Sequence, residues 1–143
     1  MIYREVRIDG AEWTAHFYFA IDTYWESEIL SRLRALGASR QVTSKIARSM
    51  HDNRLDTGFT YSRPTKRESI VVVGRASSGG EFLNSTTHEI RHLVDDIAKT
   101  DAMPMCGEGV AYLTGDIINE IADIVCKFSC DCCRKKAHFH KKS

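Results

Sequence analysis

Apolar and polar positions alternate at the N-terminal end of this chain and recur at three- and four-residue steps toward its C-terminal end. Ile2, Val6 and Ile8 stand against Arg4, Glu5 and Arg7, which predicts a strand over 2–8. The aromatic-rich run WTAHFYFAI predicts a second strand over 13–21, with Asp9-Gly10 as the turn between them. In WESEILSRLRAL, Ile29, Leu30, Leu33 and Leu36 take helical spacing, and Gly37 stops the helix. SRQVTSKIARSMHDN reads as a more polar helix. GFTYS and SIVVVG read as short strands on either side of a turn containing Pro64, and SSGG as a joint.

Two longer helices follow. The first spans about 81–99, with Phe82, Leu83, Ile90, Leu93, Val94 and Ile97 on one face. The second spans about 108–130, with Val110, Leu113, Ile117, Ile121, Ile124 and Phe128 as its stripe. Between them, TDAMPMCGEG contains Pro104, which predicts a break. Strands come first and helices last, so the expectation is an α+β fold, a short mixed or antiparallel sheet packed by helices. Residues 1–133 read as one domain and 134–143 as a frayed basic tail.

Composition narrows the function classes. The chain has 143 residues, 43% of them apolar and 27% charged, enough for a real core and unlike a disordered chain. A net charge of +1 exerts no bulk pull toward nucleic acid or anionic lipid. MIYREVRIDG is charged and lacks an apolar run, so it reads as neither signal peptide nor membrane anchor. The five cysteines are Cys106, Cys126, Cys130, Cys132 and Cys133. Without an export signal they are expected as thiols or metal ligands in a reducing cytoplasm.

The chemistry-bearing stretch is STTHEIRHLVDD, in which His88, Glu89 and His92 spell His-Glu-x-x-His. On a helix, residues four apart lie about 40° apart around the axis, so both imidazoles can reach one zinc ion. Glu89 is turned by about 100° from His88, beside the metal rather than on it, where a carboxylate can take a proton from zinc-bound water. A catalytic zinc commonly takes three protein ligands. Glu108 opens the second long helix and is the preferred third, with Asp95, Asp96, Asp101 and Asp116 as rivals. The apolar residues of the first long helix centre opposite His88 and His92. Those of the second centre opposite Glu108, whose face also carries Tyr112, a candidate hydrogen-bond donor to an oxyanion.

THEIRH followed by GEGVAY resembles the zincin metallopeptidases, specifically the gluzincin branch. It is similar to that family's smallest members and to short zincin-like proteins of phages and mobile elements. The resemblance covers roughly residues 68–120. It implies His88, His92 and Glu108 as zinc ligands, Glu89 as general base, and a peptide or protein as substrate. It also implies an edge strand just before the metal helix that binds the substrate backbone, and SIVVVGR (69–75) occupies that place. Tyr112 stands four residues after Glu108, where the branch often carries Asp. The alternative is a non-catalytic zincin-like module in which zinc staples two helices.

Cys126, Cys130, Cys132, Cys133, His138 and His140 hold enough soft ligands for a second metal, although Cys-x-Cys-Cys matches no standard knuckle. His16 and His51 stand singly and read as structural or surface residues. No oligomeric interface is read from the pattern.

Overall fold

The computed structural model describes residues 2–21, 25–52 and 58–130. In chain order its elements are β1 (Ile2–Ile8), β2 (Trp13–Ile21), α1 (Glu26–Ala35), α2 (Arg40–His51), β3 (Gly58–Arg63), β4 (Glu68–Gly74), α3 (Gly79–Thr100) and α4 (Glu108–Ser129). The fold is α+β. The Asp9-Gly10 turn is a short 3-10 turn, Asp9–Ala11, closed by Glu12 in the left-handed region at φ 50°.

The strands form one mixed sheet in the order β1–β2–β4–β3. β1 is antiparallel to β2, with Val6 opposite Ala15. β2 runs parallel to β4, with Phe17 opposite Val71. β3 is antiparallel to β4, with Thr60 opposite Val71. Helices cover both faces. Ile29, Leu30 and Leu33 of α1 and Met50 of α2 pack on Tyr18, Ile70 and Val72. On the other face, α3 and α4 bury Phe82, Ile90, Leu93, Ile117, Ile121 and Phe128 against Phe17, Phe19, Val71 and Val73. This double cover explains why β2 and β4 are nearly unbroken apolar runs: a strand buried on both faces has no solvent side to alternate with.

The same logic corrects one expectation. SIVVVG was expected as the edge strand, but β4 is paired on both sides and β3 takes the edge. Ile70, Val71, Val72 and Val73 are all buried and need neighbours. The half-buried GFTYSR suits a rim. Gly58 permits that rim to close on β4: its φ is 114°, and a Cβ there would lie 1.8 Å from the carbonyl oxygen of Val72.

Helix α3 begins at Gly79, two residues before its expected start. Ser78 caps it by accepting a hydrogen bond from the Glu81 amide at 3.1 Å, and the Glu81 carboxylate accepts from the Ser77 amide at 2.9 Å. A Cβ on Gly79 would lie 2.5 Å from the Ser129 carbonyl oxygen. The start of α3 therefore touches the end of α4, which fixes the antiparallel register of the two helices. Among the described residues, no helix is long and apolar enough to cross a membrane.

Candidate metal site on helix α3

His88 and His92 stand on the outer face of α3, both exposed. Their Nε2 atoms are 3.1 Å apart and their rings meet edge to face at 4.8 Å. One ring must donate Nε2–H to the other for that contact to hold. A metal would take the place of the shared proton. Two nitrogens bonded to zinc at about 2.0–2.1 Å in tetrahedral geometry lie about 3.3 Å apart, so the bite of this pair fits.

Glu89 points elsewhere. It is 2% exposed, and its Oε2 accepts a hydrogen bond from the Thr60 hydroxyl at 2.7 Å. Thr60 Oγ1 also lies 3.1 Å from the Glu89 carbonyl oxygen. The rotation of about 100° that separates Glu89 from His88 carries its carboxylate into the seam between α3 and edge strand β3. Seven residues on, almost two turns, Asp96 makes the same kind of contact: Ser62 donates to its Oδ2 at 2.6 Å. Behind Ser62 runs a buried chain. Trp13 Nε1 donates to Ser69 Oγ at 2.9 Å, and Ser69 and Ser62 hydroxyls are 2.7 Å apart. An indole can only donate and a carboxylate accepts, so Ser69 donates to Ser62 and Ser62 to Asp96. Alternate hydroxyls on β3 thus meet carboxylates two turns apart on α3. The period-two spacing of Thr60 and Ser62 was the available sequence signal for that seam.

The remaining candidates stand apart from the pair. Glu108 is exposed at the first turn of α4. With Gly79 against Ser129, Glu108 lies level with the last residue of α3, Thr100. That is eight residues beyond His92, or about 12 Å along the axis. Tyr112, one turn further, is 70% exposed. Asp116, level with His92, faces the other way: with Asn119 and Glu120 it lines a cleft of about 190 Å³ against Arg7, Ile8, Asp9 and Gly10. Asp95 pairs with Arg91 on its own helix at 3.0 Å. Asp101 is bound by Arg67 at 2.8 Å. Among the described residues, no three His, Cys, Asp or Glu side chains gather closely enough to hold one metal ion. The fit is therefore that of a two-nitrogen chelate, and the third protein ligand expected at Glu108 is not brought to it.

On the opposite face of the sheet, His16 is buried. Its Nδ1 lies 2.8 Å from the Tyr3 hydroxyl and 3.3 Å from Arg32 Nη1, and its Nε2 lies 3.2 Å from Glu68 Oε2. Arginine can only donate, so Nδ1 is the acceptor and Nε2–H faces Glu68. The contacts satisfy the ring and tie β1, β2, β4 and α1 together. Cys126 and Cys130 are exposed at the end of α4. The rest of the cysteine-histidine cluster, Cys132, Cys133, His138 and His140, lies outside the described residues, as does the basic tail.

No protein-family profile matches the chain, and no curated protein or solved structure matches it either.

Proposed function

We propose that the protein is a zinc-dependent metallopeptidase of the cytoplasm, acting on a peptide or protein substrate. The observation that carries this reading is the 3.1 Å separation of the His88 and His92 Nε2 atoms on an exposed helix face. His88 and His92 would hold the ion. Zinc, when bound, supplies a Lewis acid that lowers the pKa of its water to about 7. Glu89 is the general base of the proposal. It lies one residue from His88, and its tie to Thr60 places it beside the antiparallel edge of the sheet. The outer rim of such a strand suits an extended peptide backbone. To serve the histidine face, the Glu89 carboxylate must leave the Thr60 hydroxyl and swing out of the seam. Glu108 enters the proposal as the third ligand only through a rearrangement of the first turn of α4, and Tyr112 as an oxyanion donor only with it.

A second reading, a non-catalytic zinc-binding or regulatory module, is favoured by that same buried tie of Glu89. One experiment separates the two. Zinc per chain and cleavage of a fluorogenic peptide library are measured on wild type, Glu89→Gln and Glu108→Ala. The peptidase reading expects turnover in the wild type, its loss in Glu89→Gln with zinc retained, and weaker zinc binding in Glu108→Ala. Zinc-loaded wild type that cleaves nothing supports the module; a chain that takes up no zinc sinks both.

A further inference from the structure

We propose that the exposed stripe of α3 pairs with the same stripe of a second copy, the two His88–His92 pairs enclosing a single zinc ion. The inference rests on the metal-binding half of the reading above and names what completes and restrains that site. The pair offers two nitrogens at a chelating separation, and no third ligand stands with them among the described residues. A symmetric dimer supplies the missing half from the same surface. With a twofold axis through α3 midway between the histidines, the helices run antiparallel. His88 then meets the partner's His92, and His92 the partner's His88. Four imidazole nitrogens make a closed tetrahedral sphere.

The charges along the stripe support this register. Glu81 lies seven residues before His88, and Lys99 lies seven residues after His92. Seven residues are nearly two turns, so both residues stand on the histidine stripe and both are exposed. The Glu81 carboxylate also accepts from the Ser77 amide of its own chain, and the partner's Lys99 would add to that contact rather than meet an unpaired group. The axis that joins the histidines therefore sets Glu81 against the partner's Lys99 and Lys99 against the partner's Glu81. Like charges at those positions would oppose the pairing; the sequence places opposite ones there. Arg91 and Asp95, the other charges beside the histidines, are paired with each other within the helix. A closed sphere has no position for a hydrolytic water, so the dimer is the resting form of the site and the monomer the open one.

The test is native mass spectrometry and sedimentation of the full chain, with chelator and with added zinc. The expected result is a monomer in chelator and, in zinc, a dimer holding one zinc per two chains, lost in His92→Ala. Glu81→Lys alone, or Lys99→Glu alone, sets like charges against each other and should weaken the zinc dimer at least about tenfold. Mixing these two variants restores both opposite-charge pairs and should restore the dimer. That result also controls for any weakening of the helix start by Glu81→Lys. One zinc per chain on a monomer overturns the proposal and leaves the metal-binding reading standing. A zinc dimer indifferent to the charge swaps overturns the pairing. No zinc bound at all overturns the proposal together with the reading beneath it.

Discussion

Helix α3 has two polar flanks, and they are built differently. The flank toward β3 is closed: Glu89 and Asp96 are held by the hydroxyls of Thr60 and Ser62, and Ser62 ends a buried chain that begins at Trp13. The outer flank is open: His88 and His92 face solvent and have each other for a partner. The buried Glu89 carboxylate needs its hydroxyl, because an unpaired buried polar group costs its full desolvation penalty, and the half-buried Asp96 is held in the same way. The histidines carry no such obligation. Polar groups in the seam are committed to the fold, and those on the outer face are not. Adjacent letters of one motif, His88 and Glu89, fall on opposite sides of that division.

The comparison is tested most strongly by removing the open pair. His88→Ala or His92→Ala reduces a two-nitrogen chelate to a single ligand. Zinc affinity should fall by at least about a hundredfold, beyond the 10–100-fold that loss of an outer-shell partner costs. Stability without zinc should change by no more than about 0.5 kcal/mol, as for other exposed substitutions. Isothermal titration with zinc and chemical denaturation of the zinc-free protein measure the two. A large loss of stability in the absence of zinc would mean that the outer flank is structural too.

The closed flank should show the reverse pattern. Thr60→Val keeps the shape of the side chain and removes the hydroxyl, leaving the Glu89 carboxylate buried without that donor. The expected cost is about 1–3 kcal/mol in unfolding free energy. Thr60→Ser, which keeps the hydroxyl, should lose less than half of that. Denaturant midpoints on the two variants decide it. Zinc affinity should barely move in either, which distinguishes the seam from the outer face.

How much of this was legible beforehand follows from which contacts are local. The unbroken run Ile70–Val73 and the stripe from Val110 to Phe128 predict a strand and a helix without reference to anything distant, and both form. The meeting of His88 with His92 is also local, set by one turn of helix. Strand order is not local. SIVVVG precedes the motif helix in sequence and was expected at the edge, yet GFTYSR holds that place because β4 must be covered on both sides. The same non-local fact decided Glu89: helix geometry turns it about 100° from His88, but only the position of β3 makes that direction a buried seam. Glu108 failed to join the pair for a related reason. The linker is long enough to turn the chain, but the contact of Gly79 with Ser129 sets how far along α3 the new helix begins.

The smallest expected effect lies where the closed flank runs out into solvent. Just beyond the end of α3, Asp101 receives a forked pair of hydrogen bonds from Arg67, at 2.9 and 2.8 Å, while the guanidinium stacks 5.2 Å from the centre of the Trp13 ring. The Arg67 hydrogen bonds hold the Asp101 carboxyl below its ordinary range, against a smaller opposing effect of burial. A carboxyl lowered in the folded state stabilises the fold above its unfolded value of about 3.9. That contribution is lost as pH falls through the folded value, because protonation then proceeds in the folded chain as in the unfolded one. Asp101→Asn keeps an acceptor for Arg67 and removes the titration. Its thermal midpoint should trail wild type by a small margin near neutral pH and converge with it as the pH drops below about 3.9. A gap that stays constant through the acid range would mean that the charge of Asp101 contributes nothing beyond its hydrogen bonds.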